Sequence, residues 1–182
     1  MNLPNKLTIA RIAMIPIFLF FLMTDFAGEN SKYIAAFIFI IASLTDLLDG
    51  NIARKNNIVT NFGKFMDPLA DKLLVSSALI AFIQLDYLPA WIVIIIISRD
   101  FIISGFRLVA SDNGIVIAAS KWAKIKTTVQ MLMVILLIFK FDFPYVNIVE
   151  NVFIYSALIL TVASLLEYLI KNKNVMIEGG NK

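Results

Sequence analysis

The chain contains no cysteine and no histidine. Without thiols there is no disulfide framework, thiolate metal site or sulfur nucleophile. Without imidazole, a general base must be a carboxylate, a lysine, a tyrosine or water, and a carboxylate leads that set. Charge is scarce as well: 16% of the 182 residues are Asp, Glu, Lys or Arg, against 60% hydrophobic, and the mean hydropathy is +0.85. That balance excludes an ordinary soluble globule and indicates an integral membrane protein. The few Gly, Pro and Ser residues form no linker, and no internal repeat or low-complexity stretch is present. The length fits one domain over residues 1–182, with Glu178–Lys182 read as a disordered end.

What is present is a series of apolar stretches near the roughly 20 residues needed to cross a hydrocarbon core. Helices are expected over Leu7–Met23, Tyr33–Asn56, Asp67–Gln84, Pro89–Ala110, Lys121–Phe139 and Val149–Ile170. Thr24-Asp25-Phe26 offers no small-x-small cleavage site and five apolar segments follow, so the first stretch reads as a membrane helix and not a signal peptide. Asn5 is its expected N-cap, with Thr8 and Arg11 on roughly one face. Six spans put both termini on one side. Fourteen of the sixteen Lys and Arg then lie on that side, with only Lys32 and Lys140 on the other. This bias places the termini in the cytoplasm. The net charge of +3 and pI near 9.1 therefore reflect topology and anionic ligands, not nucleic acid.

Against this apolar background stand Asp46, Asp49, Asp67 and Asp71. An acid at the centre of a membrane helix costs roughly 2.5–3.5 kcal/mol on insertion scales, so four together call for a partner. At about 100° per residue, Asp46, Asp49, Gly50 and Ala53 fall on one helical face, with Arg54 just beyond its edge. Pro68 fits the first position of a helix, which makes Asp67 the expected N-cap and sets Asp71 one turn further in. Oxygen ligands without His or Cys suit Mg²⁺ or Mn²⁺, and a pair of such ions normally clamps a phosphate or diphosphate. Gly50 and Ala53 leave room for a ligand to approach the backbone. The bland alternative, caps and interfacial ion pairs, requires neither those small residues nor four acids.

The segment carries Asp46, Asp49, Gly50, Ala53, Arg54, Gly63, Asp67 and Asp71 in the spacing D-x2-D-G-x2-A-R-x8-G-x3-D-x3-D. In this it resembles the CDP-alcohol phosphatidyltransferase family. The resemblance implies a six-helix membrane enzyme that transfers a phosphatidyl group from CDP-diacylglycerol to an alcohol and releases CMP. It implies Asp46, Asp49, Asp67 and Asp71 as ligands of two Mg²⁺ or Mn²⁺ ions, Asp71 also as the base, and a homodimer. It further implies that Gly50, Ala53, Arg54 and Gly63, with Asn5 and Thr8 of the first helix, face the CDP group.

A second polar cluster comprises Ser98, Arg99, Asp100, Gly105 and Arg107, then Ser120 to Thr127 with Gln130 further in. Cations beside a phosphotransfer site suit an anionic acceptor, the alternative being positive-inside anchors or anionic-lipid contacts. Arg107, Lys124 and Lys126 have spacings that let them point inward, with Lys121 and Arg99 as further candidates. Together with Asn5-Lys-Leu-Thr8-x-x-Arg11, these stretches resemble the bacterial phosphatidylglycerophosphate synthase branch of the family, although Asp100 stands where that branch is expected to carry Glu. The branch implies sn-glycerol 3-phosphate as acceptor, a site at the cytoplasmic interface of the bacterial cell membrane, and membrane lipids as partners. Inositol phosphate, inositol and serine remain alternative acceptors. An ion-coupled transporter and a non-catalytic scaffold are the alternatives from other classes; a transporter is expected to carry its acids near the midplane and to show repeated halves.

Overall fold

The computed structural model describes residues 3–55, 61–112 and 120–172; the side chains at 3–4, 46–55, 61–65, 67, 68, 71 and 111–112 lie outside that description. The described residues are all-helical, without strands: α1 (Leu3–Met23), α2 (Ser31–Lys55), α3 (Asn61–Gln84), α4 (Ala90–Asp112), α5 (Lys121–Phe139) and α6 (Val146–Lys171), with a 3-10 turn at Gly28–Asn30 before α2. Among the described residues, three stretches are long and apolar enough to cross a membrane: Asn5–Met23, Lys121–Phe139 and Val146–Lys171. Lys72–Gln84 is a shorter apolar stretch. The helices with the motif acids and the α4 cations are longer than 20 residues but interrupted by charge.

Two helix starts differ most from expectation. α1 begins at Leu3, so Asn5 lies inside its first turn and is not the N-cap. Pro4 explains the earlier start, because its missing N–H falls among the donors that a first turn leaves unbonded anyway. α3 begins at Asn61 and takes Asp67 and Pro68 into its interior, so Asp67 is not a cap. An internal proline removes one helical hydrogen bond, a loss that membrane helices tolerate where neighbouring groups re-satisfy the freed carbonyl.

The chain divides into two compact units, Met1–Pro89 with Val134–Asp142, and Ala90–Met133 with Phe143–Lys182. In the first, α1 packs against α2 and α3. Small residues at helical spacing, Ala35, Ala36 and Ala42 on α2 and Ala78 and Ala81 on α3, are buried beside larger Phe39, Leu74 and Phe82. Such alternation lets helices approach closely in lipid, where dispersion rather than water exclusion drives packing. Phe18 meets Phe39 with ring centroids 5.5 Å apart. Arg11 is buried in this interior, and its Nε donates to the Ala42 carbonyl at 3.2 Å. A cation this deep requires such partners.

In the second unit α4 packs against α6. Glu150, Ile154, Ala157, Thr161, Ser164 and Tyr168 are buried on α6, at alternating steps of four and three residues. That spacing draws one stripe along the helix. The stripe is mostly small or polar, which suits helix contact in a membrane but produces no apolar signal in the sequence. Ser120 caps α5 by accepting the Ala123 N–H at 3.1 Å, which accounts for the start at Lys121.

Candidate functional site

The motif residues fall on two helices of the first unit: Asp46, Asp49, Gly50, Ala53 and Arg54 on α2, and Gly63, Asp67 and Asp71 on α3. The two helices pack against each other. The side chains of these eight residues lie outside the described residues, and among the described residues no cluster of three metal-binding side chains occurs. What can be tested is the chemistry of the donor set. Four carboxylates on two packed helices, in a chain with no His or Cys, fit a hard divalent cation. Of the two α1 candidates in the same unit, Thr8 is fully buried, like Arg11 three residues later, and Asn5 is half-buried.

The basic cluster lies wholly within the second unit. Asp100 is its hub. Arg99 Nη1 donates to Asp100 Oδ1 at 3.0 Å, and Lys126 Nζ donates to the same oxygen at 2.5 Å. Arg99 Nη2 reaches across to α6 and donates to Ser164 Oγ at 3.0 Å. The Arg99 and Lys126 side chains are only 7% and 2% exposed, so both charges lie in a poorly solvated interior and need these partners. One turn beyond Ser164, the Arg107 guanidinium lies over the Tyr168 ring, 5.8 Å from its centroid. Phe106 meets the same ring edge-on at 5.5 Å. Later residues of α4 thus meet later residues of α6, and the two helices run in the same sense.

This arrangement retains hydrogen-bonding capacity. The Nε atoms of Arg99 and Arg107 and the Oε1 of Gln130 are buried without a hydrogen-bond partner among the described residues. Buried polar atoms in native proteins are normally satisfied, and an exception invites a ligand. The Arg99 guanidinium beside a buried ammonium suits an oxyanion such as a phosphate.

The expectation that Lys124 and Lys126 both point inward is corrected. Lys126 is buried, whereas Lys124 and Lys121 are exposed. Residues two apart on a helix point about 200° apart, so they cannot share a face, while Lys121 and Lys124, three apart, do. Arg99, a secondary candidate by sequence, is instead central. Sequence reasoning missed Ser164 and Tyr168. Their only trace is the four-and-three spacing of small and polar residues on α6, which a search for apolar periodicity passes over.

The sequence profile described as CDP-alcohol phosphatidyltransferase matches residues 1–163. A Bacillus subtilis protein named CDP-diacylglycerol–glycerol-3-phosphate 3-phosphatidyltransferase is 49% identical, over 94% of this chain and 95% of its own length. Proteins of the same name from Haemophilus influenzae and Rickettsia felis are 39% and 38% identical. Those alignments cover 97% and 88% of this chain, and 96% and 90% of the relatives.

Proposed function

The chain belongs to the CDP-alcohol phosphatidyltransferase family, and on that premise we propose that it transfers the phosphatidyl group of CDP-diacylglycerol to sn-glycerol 3-phosphate, yielding phosphatidylglycerophosphate and CMP. It is a transferase of phospholipid biosynthesis. The observation that carries the acceptor is the buried Arg99 and Lys126 pair, with the Nε atoms of Arg99 and Arg107 lacking a hydrogen-bond partner among the described residues, because an uncharged alcohol would leave these cations without work. Inositol, which carries no charge, is disfavoured on that ground.

The reaction forms a bond from the acceptor oxygen to the β-phosphorus and breaks the bond from that phosphorus to the CMP oxygen. Asp71 takes the proton of the attacking hydroxyl on its carboxylate. Arg54 contacts the diphosphate, while Gly50 and Ala53 with Gly63, Asn5 and Thr8 border the nucleotide. Asp46, Asp49, Asp67 and Asp71 would hold Mg²⁺ or Mn²⁺, as a pair of ions, which when bound neutralises the diphosphate and the departing CMP. Arg107, Lys126 and Arg99 bind the acceptor phosphate. Lys121 and Lys124, on the exposed face of α5, serve the approach of the anion or the headgroups of anionic lipids.

Purified protein given CDP-diacylglycerol and Mg²⁺ or Mn²⁺ is expected to release CMP with glycerol 3-phosphate, and not with inositol or serine. Release with inositol phosphate in its place would keep the chemistry and overturn the acceptor. No release from folded protein with any alcohol would reopen transport and scaffold readings.

The lipid donor and soluble acceptor meet at a membrane surface, and the charge asymmetry supports the cytoplasmic face of the bacterial cell membrane, with six spans and cytoplasmic termini; the homodimer rests on the family resemblance alone. Because the native chain has no cysteine, single cysteines report topology cleanly. Lys6→Cys and Lys173→Cys are expected to resist a membrane-impermeant thiol reagent in intact cells, and Asp142→Cys to react. The opposite pattern would invert the orientation.

A further inference from the structure

We infer that Asp100 on α4 and Ser164 on α6 are positioning residues for the acceptor phosphate, holding Arg99 and Lys126 together as a cation clamp. This rests on the glycerol 3-phosphate reading above. The two cations converge on a single oxygen, Asp100 Oδ1, at 3.0 and 2.5 Å. Unaided, they would repel each other in a poorly solvated interior. A carboxylate between them is what allows a guanidinium and an ammonium to sit side by side.

Ser164 fixes the other edge of the guanidinium. Its hydroxyl donates to the Thr161 carbonyl at 3.1 Å, so its oxygen presents lone pairs to Arg99 Nη2, which donates to it at 3.0 Å. Held on both sides, Arg99 retains a buried Nε without a partner among the described residues. A purely structural ion pair would have no reason to leave that donor unused. The charges also match the ligand. Arg99, Lys126 and Asp100 together carry one net positive charge, which suits an anion. Asp100 itself would repel that anion, so it acts through its cations.

The test is CMP-release kinetics in mixed micelles for the unmodified protein, Asp100→Asn, Asp100→Glu and Ser164→Ala, varying each substrate in turn. Asp100→Asn is expected to raise the glycerol 3-phosphate KM at least about tenfold and to leave the CDP-lipid KM within about twofold. Asp100→Glu, which restores the charge, should recover most of that loss. Ser164→Ala, a small change on a helix, should raise the acceptor KM about threefold. An acceptor KM in Asp100→Asn at or below that of the unmodified protein overturns the inference. So does a loss shared equally by both substrates and not relieved by glutamate. If Asp100→Asn does not fold, Ser164→Ala decides, and an unmoved acceptor KM there overturns the inference. Failure of the unmodified protein to use glycerol 3-phosphate would remove the acceptor reading and this inference with it. Normal use with unmoved KM values in the variants would remove only the positioning roles.

Discussion

Replacing Asp71 with asparagine is expected to slow turnover by about three orders of magnitude while leaving the CDP-lipid KM within a few-fold. The amide keeps the size of the side chain and one coordinating oxygen, but it cannot accept the proton of the attacking hydroxyl. General base catalysis contributes about 10²–10⁴ in rate, and a thousandfold loss corresponds to about 4 kcal/mol of barrier. Because Asp71 is also proposed as a metal ligand, the measurement is single-turnover CMP release over a Mg²⁺ titration. Recovery of near-normal turnover at high Mg²⁺ would show a ligand and no base. A loss that persists at saturating metal, with the CDP-lipid still bound, assigns the proton to this carboxylate.

Arg107→Ala should act on the other substrate. Its guanidinium rests on the Tyr168 ring, and its buried Nε has no partner among the described residues, which leaves it free for a phosphate oxygen. A hydrogen bond to a charged group is worth about 1.5–3 kcal/mol, so the acceptor KM should rise about thirtyfold while the donor KM changes little. Arg107→Lys is expected to recover only part of this, since an ammonium lacks both the planar fork and the stacking face. Steady-state kinetics with each substrate varied in turn decides the matter. An equal rise in both KM values would point to damage to the fold.

The helices and the chemistry were legible in the sequence to different depths. α5 was readable to the residue because the apolar run is bounded by Ser120 and Lys140, a cap and a charge. The acidic motif was readable because its information is local, eight residues at fixed spacing on two successive helices. Pro68 misled because a proline can start a helix or be absorbed into one, and local preference does not distinguish the cases in a membrane. The cation cluster was legible as a group of charges but not as a geometry. That Asp100 joins Arg99 to Lys126 is a contact across 26 residues, and that Ser164 anchors Arg99 is one across 65. No periodicity within either helix encodes such pairings. The inward and outward faces of Lys126 and Lys124 did follow from helical angle alone, and weighing the pair as one group obscured it.

The sixth helix contributes none of the eight signature residues, yet its Ser164 and Tyr168 support the two arginines assigned to the acceptor. If the proposed roles hold, donor chemistry and acceptor choice rest on separate stretches of chain. On that assignment, a change on the α6 stripe would act on the acceptor and leave the aspartates untouched. For chains of this kind, the residues to compare first when asking which lipid is made are those that back the arginines, not those that define the family.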